Sequence, residues 1–154
     1  MSRSTISSEY MNMLLYENQK AFWDERGKGA LFRLTTVGRE LFNEKILPKL
    51  DGSTLESVIG TVASILKEEG VIEDGDIQLD GKLLKIKIKS CIHRDVAERF
   101  AKLEMPPCYC LPANICVLAI DKKLELDAEI ADIKVNEDHC EALIVIFERY
   151  ERQL

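Results

Sequence analysis

Cys108, Cys110, Glu137 and Cys140 are the residues whose types and spacing could hold a metal ion. Pro106-Pro107-Cys108-Tyr109-Cys110 opens an apolar run that ends near Ile120, and Glu137-Asp138-His139-Cys140 leads straight into Leu143-Ile144-Val145-Ile146-Phe147. Zinc takes thiolate, imidazole and carboxylate ligands, commonly filling a tetrahedral set. Cys108, Cys110 and Cys140 offer sulfur, while Glu137 and His139 compete for the remaining place. Alternate residues of an extended segment point the same way, so Cys108 and Cys110 would share a side. Cys91 and His93 follow a predicted strand and could lie nearby. The plain alternative is that free cysteines are small core hydrophobes, and Cys116, inside the apolar run, is read that way.

Catalytic chemistry has little to build on. The only histidines are His93 and His139, and no spacing places either in a nucleophile–base arrangement. Gly27-Lys28-Gly29 is too short for a phosphate-cradling loop and follows a helix. No catalytic residue is expected. An apolar ligand would instead draw on Trp23, Phe32, Phe100 and Tyr109, aromatic residues beside predicted helix ends, although such residues are more often plain core.

The totals bound these readings. A chain of 154 residues is expected to form a single domain over 1–154. With 46% hydrophobic and 31% charged residues it falls among ordinary globular proteins. A net charge of −6 argues against nucleic acid, which needs a basic face. Five cysteines, an odd number, and no apolar leader after Met1 argue against a secreted disulfide scaffold and for reduced thiols in the cytoplasm. No apolar run reaches the roughly 18–20 residues of a spanning helix.

The elements that must position these side chains can be read from periodicity. Residues 1–7 are expected to fray. A helix from Ser8 to about Arg26 carries Tyr10, Met13, Leu14 and Ala21 on one face and Met11, Leu15 and Phe22 on another. Such width predicts burial on two sides, against a second subunit or in a groove of the same domain. A second helix is predicted from Ala30 to Leu47, with a stripe of Leu31, Leu34, Gly38, Leu41 and Phe42 and a stop at Pro48. Ser53-Thr54-Leu55-Glu56 reads as a capping box ahead of Leu55, Val58, Ile59, Val62, Ile65 and Leu66, with Gly70 closing that helix.

The period then changes to two. Asp80-Gly81 between alternating runs predicts a hairpin in which Ile77 faces Leu84, Asp76 faces Lys85 and Asp74 faces Lys87. That pairing accounts for the Lys85, Lys87 and Lys89 row without a nucleic-acid site. A short helix over 94–104 and another over 111–123 precede a second hairpin, Ile130–Val135 with Cys140–Glu148. A four-residue loop there sets Val135 opposite Cys140, Ile133 opposite Ala142 and Lys134 opposite Glu141. The unbroken Leu143–Phe147 run predicts a central strand buried on both faces. The whole is an α+β fold, an antiparallel sheet of about four strands in two hairpins packed against helices.

The capped helix followed by Glu-Glu-Gly-Val and an Asp-Gly hairpin, then the Pro-Cys helix before a Glu-x-x-Cys hairpin, resembles the vinyl-4-reductase domain family over roughly residues 30–149. That family is similar in fold to the subunits of the vesicle-tethering transport protein particle. The resemblance implies a dimerising, non-catalytic small-molecule-binding or sensor domain with an apolar pocket between helices and sheet. It also implies zinc on Cys108, Glu137 and Cys140, but Glu148 stands where the pattern has a further cysteine, and the Cys108-to-Glu137 spacer is a little long. The acylated cysteine of the vesicle-tethering subunits, which precedes the capped helix, is not carried over, because the first cysteine here is Cys91. A homodimer through the helices of residues 8–50 is therefore expected. The alternatives are an interaction module with a filled interior and an enzyme of tetrapyrrole or aromatic metabolism, which the residues do not support.

Overall fold

A computed structural model describes residues 6–107 and 109–149, with Phe32 by its backbone alone. The chain is α+β, with one antiparallel sheet of four strands in the order β1-β2-β4-β3. The strands are β1 (Asp74–Asp80), β2 (Leu83–Lys89), β3 (Asp127–Val135) and β4 (Cys140–Phe147).

Helix α1 (Ser8–Arg26) starts where Ser7, in extended backbone, accepts the Tyr10 N–H on its hydroxyl. Ser7 is thus a cap within the stretch expected to fray, and residues 1–5 lie outside the described residues. The single helix expected over 30–47 is broken instead. Short α2 (Gly29–Arg33) passes through a 3-10 turn, Leu34–Thr36, and α3 (Arg39–Leu41) continues into a π turn, Phe42–Ile46, and a 3-10 turn, Leu47–Lys49. The break sits at Gly38, whose φ of 101° is left-handed. A Cβ there would lie 2.6 Å from Leu111 Cδ1, so the chain turns where glycine allows close approach. Asn114, 2% exposed, donates from Nδ2 to the carbonyls of Leu34 (3.0 Å) and Val37 (3.1 Å) and pins that turn.

Helix α4 (Leu55–Glu68) forms as its spacing predicts, but its cap is Thr54 and not Ser53. The reciprocal partner is the Ser57 hydroxyl, which accepts from the Thr54 N–H, while Thr54 Oγ1 accepts from the Ser57 N–H. Serine at N3 does the work expected of Glu56. Helices α5 (Arg94–Lys102) and α6 (Leu111–Leu124) follow.

The first hairpin is paired two residues away from the expected register: Ile77 faces Ile86, Asp76 faces Lys87 and Asp74 faces Lys89. Its turn is Gly81-Lys82, with Gly81 at φ 60°. A slip of two keeps every side chain on its own face, because the pleat repeats every two residues. The second hairpin pairs as expected, Val135 with Cys140 and Ile133 with Ala142, with an irregularity between Ile130 and Asp132.

Strand β4 is central as expected, but it is buried on one face only. Cys140, Ala142, Ile144 and Ile146 point into the core, whereas Leu143 and Val145 are half-buried and Phe147 is exposed. Helices α4 and α6 supply the covered side, their Val58, Val62, Ile115 and Ala119 packing with Leu84, Ile86 and Ile144 in the main core. On the other face the half-buried Lys85, paired with Leu143, lends cover through its stem. Asp74, Asp76 and Asp80 on edge strand β1, and the irregularity in edge strand β3, discourage strand addition at either side.

Helix α1 stands apart from this core. Its Leu15, Tyr16 and Trp23 pack with Val96 and Phe100 of α5 in a second, smaller cluster. Tyr16 and Phe100 meet at 5.1 Å between ring centres, and the Arg99 guanidinium lies over Tyr16 at 5.8 Å.

Candidate binding pocket

The end of β2, the start of α5, the Pro107–Pro112 segment and the mouth of the second hairpin converge on a pocket. Cys91, Cys110 and Cys140 all line it, with His93, Arg94, Val96, Ala97, Tyr109, Leu111 and Gln19 of α1 among the other walls. The topology brings the thiols together: antiparallel pairing sets Cys140 opposite Ile88, and Cys91 follows two residues past the end of β2. Cys110 is delivered from the third side as the N-cap residue of α6. The free space is about 40 Å³. That admits a few heavy atoms and falls far below the roughly 300–1,000 Å³ of common ligand clefts.

Burial makes the thiols poor nucleophiles. Desolvation pushes Cys110, Cys91 and Cys140 above the ordinary thiol value, and the deeper Cys116 is pushed up to about 12. Protonated thiols neither attack nor exchange readily. The Cys91 thiol accepts the His93 N–H at 3.5 Å. His93, half-buried, donates from Nδ1 to Asn12 Oδ1 at 3.1 Å, and burial lowers its pKa. Asn12 donates in turn to the Ile92 carbonyl at 2.9 Å.

Arg94 ties the pocket to the second hairpin. Its Nε pairs with Glu98 at 2.8 Å, and Nη2 donates to the carbonyls of Asn136 and of Glu137, the latter at 2.9 Å. Its Nη1 approaches Cys140 Sγ at 3.8 Å. The guanidinium thus bridges α5 and the loop of the second hairpin.

Of the residues singled out for a metal, Cys110 and Cys140 line the pocket, whereas Glu137 has an exposed side chain and engages Arg94 through its carbonyl. Cys108 lies outside the described residues. Among the described residues no group of three or more histidine, cysteine or acidic side chains stands close enough to hold a metal ion. His139 turns away, between Asp138 (2.6 Å) and Glu141 (3.1 Å), and hydrogen bonding to Asp138 and then Glu141 raises its pKa. Of the aromatic residues, Tyr109 lines the pocket, Trp23 and Phe100 belong to the smaller cluster, and the Phe32 side chain lies outside the described residues.

Sequence reasoning missed Asn12, Gln19 and Arg94. The two amides carried a signal: they sit seven residues apart, on one face of a helix otherwise rich in apolar residues. Arg94 carried none, because its carbonyl partners belong to a loop more than forty positions away.

No family model matches the chain, and neither the curated proteins nor the solved structures compared with it give a match. The likeness to the vinyl-4-reductase family rests on its sequence motifs alone. Among the described residues no helix is long and apolar enough to cross a membrane.

Proposed function

We propose that this protein is a non-catalytic small-molecule-binding or sensor module that works as a homodimer in the cytoplasm, where its thiols stay reduced. One observation carries the reading: α1 buries two amides on its inner side, beside Leu15, Tyr16 and Trp23, and keeps an apolar stripe outside. Its buried residues are the amides Asn12 and Gln19, at 6% and 8% exposure, while Tyr10, Met13 and Leu14 stand 56%, 43% and 39% exposed. Amides on the inner side face the pocket and His93; apolar side chains on the outer side offer a surface to a partner.

A second copy of the chain suits that surface. Ile6, Tyr10, Met13, Leu14 and Ala21 recur at helical spacing. A two-fold axis passing between Met13 and Leu14 sets those two against each other, Tyr10 against Glu17 and Ile6 against Ala21, so the stripe is self-complementary. The blunted sheet edges leave helix packing as the open route to assembly. One helix then joins the pocket to the dimer seam, the layout a sensor needs.

The interaction-module reading is favoured by the small cavity, since about 40 Å³ leaves the interior largely filled. A structural zinc would require Cys108 beside Cys110 and Cys140 and would displace the Arg94 guanidinium from Cys140. The two-chain assembly is tested by light scattering on the full chain and on Met13→Glu/Leu14→Glu. A dimeric parent and a folded monomeric variant are expected; a monomeric parent removes the dimer and the sensor layout with it.

A further inference from the structure

Among the described residues that line the pocket, Arg94 is the one arginine or lysine. Its Nε serves Glu98 and its Nη2 serves two carbonyls, so those donors are spent on neighbours. Its Nη1 faces the Cys140 sulfur at 3.8 Å. A thiol is a weak acceptor, whereas a carboxylate makes charge-assisted bonds about twice as strong as neutral ones. A cationic donor held in a part-buried wall beside Val96, Ala97 and Leu111, next to so weak an acceptor, suits an incoming anion.

We propose that the pocket binds a short-chain carboxylate, its oxygens taking Arg94 Nη1 in place of Cys140 Sγ and its stem lying among Val96, Ala97 and Leu111. The inference rests on the ligand-binding reading and narrows it. Size sets the class. A dry cavity of about 150 Å³ holds benzene, so the space of about 40 Å³ here accommodates a head group and one or two carbons. Aromatic acids and long chains exceed that space. Glu98, which pairs with Nε, is 44% exposed, so solvent screens its charge from a carboxylate at Nη1.

The experiment is calorimetric titration of the full chain with sodium propionate, with propionamide as the neutral isostere and sodium chloride as the ionic control. Saturable propionate binding at least tenfold tighter than propionamide is expected, with chloride silent. Arg94→Gln should weaken propionate at least tenfold and propionamide by clearly less. Because Arg94 also holds the hairpin loop, Ala97→Leu provides a second arm: it adds bulk to the pocket wall, keeps the arginine, and should abolish both. Equal binding of propionate and propionamide keeps the pocket reading and overturns the carboxylate. Binding of neither overturns both, and propionate binding that survives Ala97→Leu places the site elsewhere and overturns the proposal.

Discussion

His93 Nδ1 stands 3.1 Å from Asn12 Oδ1, joining the segment after β2 to α1 across 81 positions of sequence. The same Asn12 side chain donates to the Ile92 carbonyl, so one amide satisfies both a ring nitrogen and a main-chain acceptor. Helix α1 is held to the domain by this polar contact together with the small Phe100 cluster.

The contact makes acid stability depend on His93. Burial lowers its pKa below the ordinary value of about 6.5. The folded state therefore prefers the neutral ring, and its contribution is fully present above about pH 6.5 and is lost as pH falls toward the folded-state value. His139 has the opposite sign: its raised pKa gives a contribution present below about pH 6.5 and lost as pH rises through the folded-state value. Thermal melts between about pH 8 and pH 5 should show His93→Gln flattening the acid limb and His139→Gln flattening the neutral one. An unchanged acid limb in His93→Gln would assign that limb to other groups.

Gly38→Ala tests the break between α2 and α3. The left-handed backbone and the 2.6 Å approach to Leu111 Cδ1 act together. Denaturant unfolding should report a loss of about 1–3 kcal/mol, the usual cost of a strained non-glycine residue. A loss below about 0.5 kcal/mol, the level of an indifferent surface change, would mean that the turn relaxes freely.

Asn114→Leu should unfasten the same turn from the other side. Removing the amide leaves the Leu34 and Val37 carbonyls without their shared donor, at a cost of about 1–3 kcal/mol. Because both substitutions act on one turn, the double variant should lose less than the sum of the singles. Strict additivity would show that Asn114 and Gly38 act independently.

The Arg94 clip and a zinc clip make opposite predictions. Arg94→Ala should cost about 1.5–3 kcal/mol, typical of charge-assisted hydrogen bonds, and chelator should leave the parent's melting temperature unchanged. Elemental analysis of the purified chain provides the check. One zinc per chain, with a melting temperature that falls on chelation, would establish the metal.

The amino-acid sequence by itself determined the elements whose signals are local. The 3.6-residue stripe from Leu55 to Leu66 specifies α4, and the alternation around Ile86 and the run Leu143–Phe147 specify two hairpins of an α+β fold. Inward and outward faces were legible even where the first register slipped by two, since a slip of two preserves the pleat. Only the tertiary structure decided which side of α1 is buried, because its apolar residues encircle the helix and no periodic stripe chooses a face. It also decided that Cys91, Cys110 and Cys140 share one pocket with Arg94, a meeting produced by strand order and helix docking. Contacts between residues so distant in sequence arise when buried area and hydrogen bonds offset the entropy of closing long loops, and that balance belongs to the whole fold.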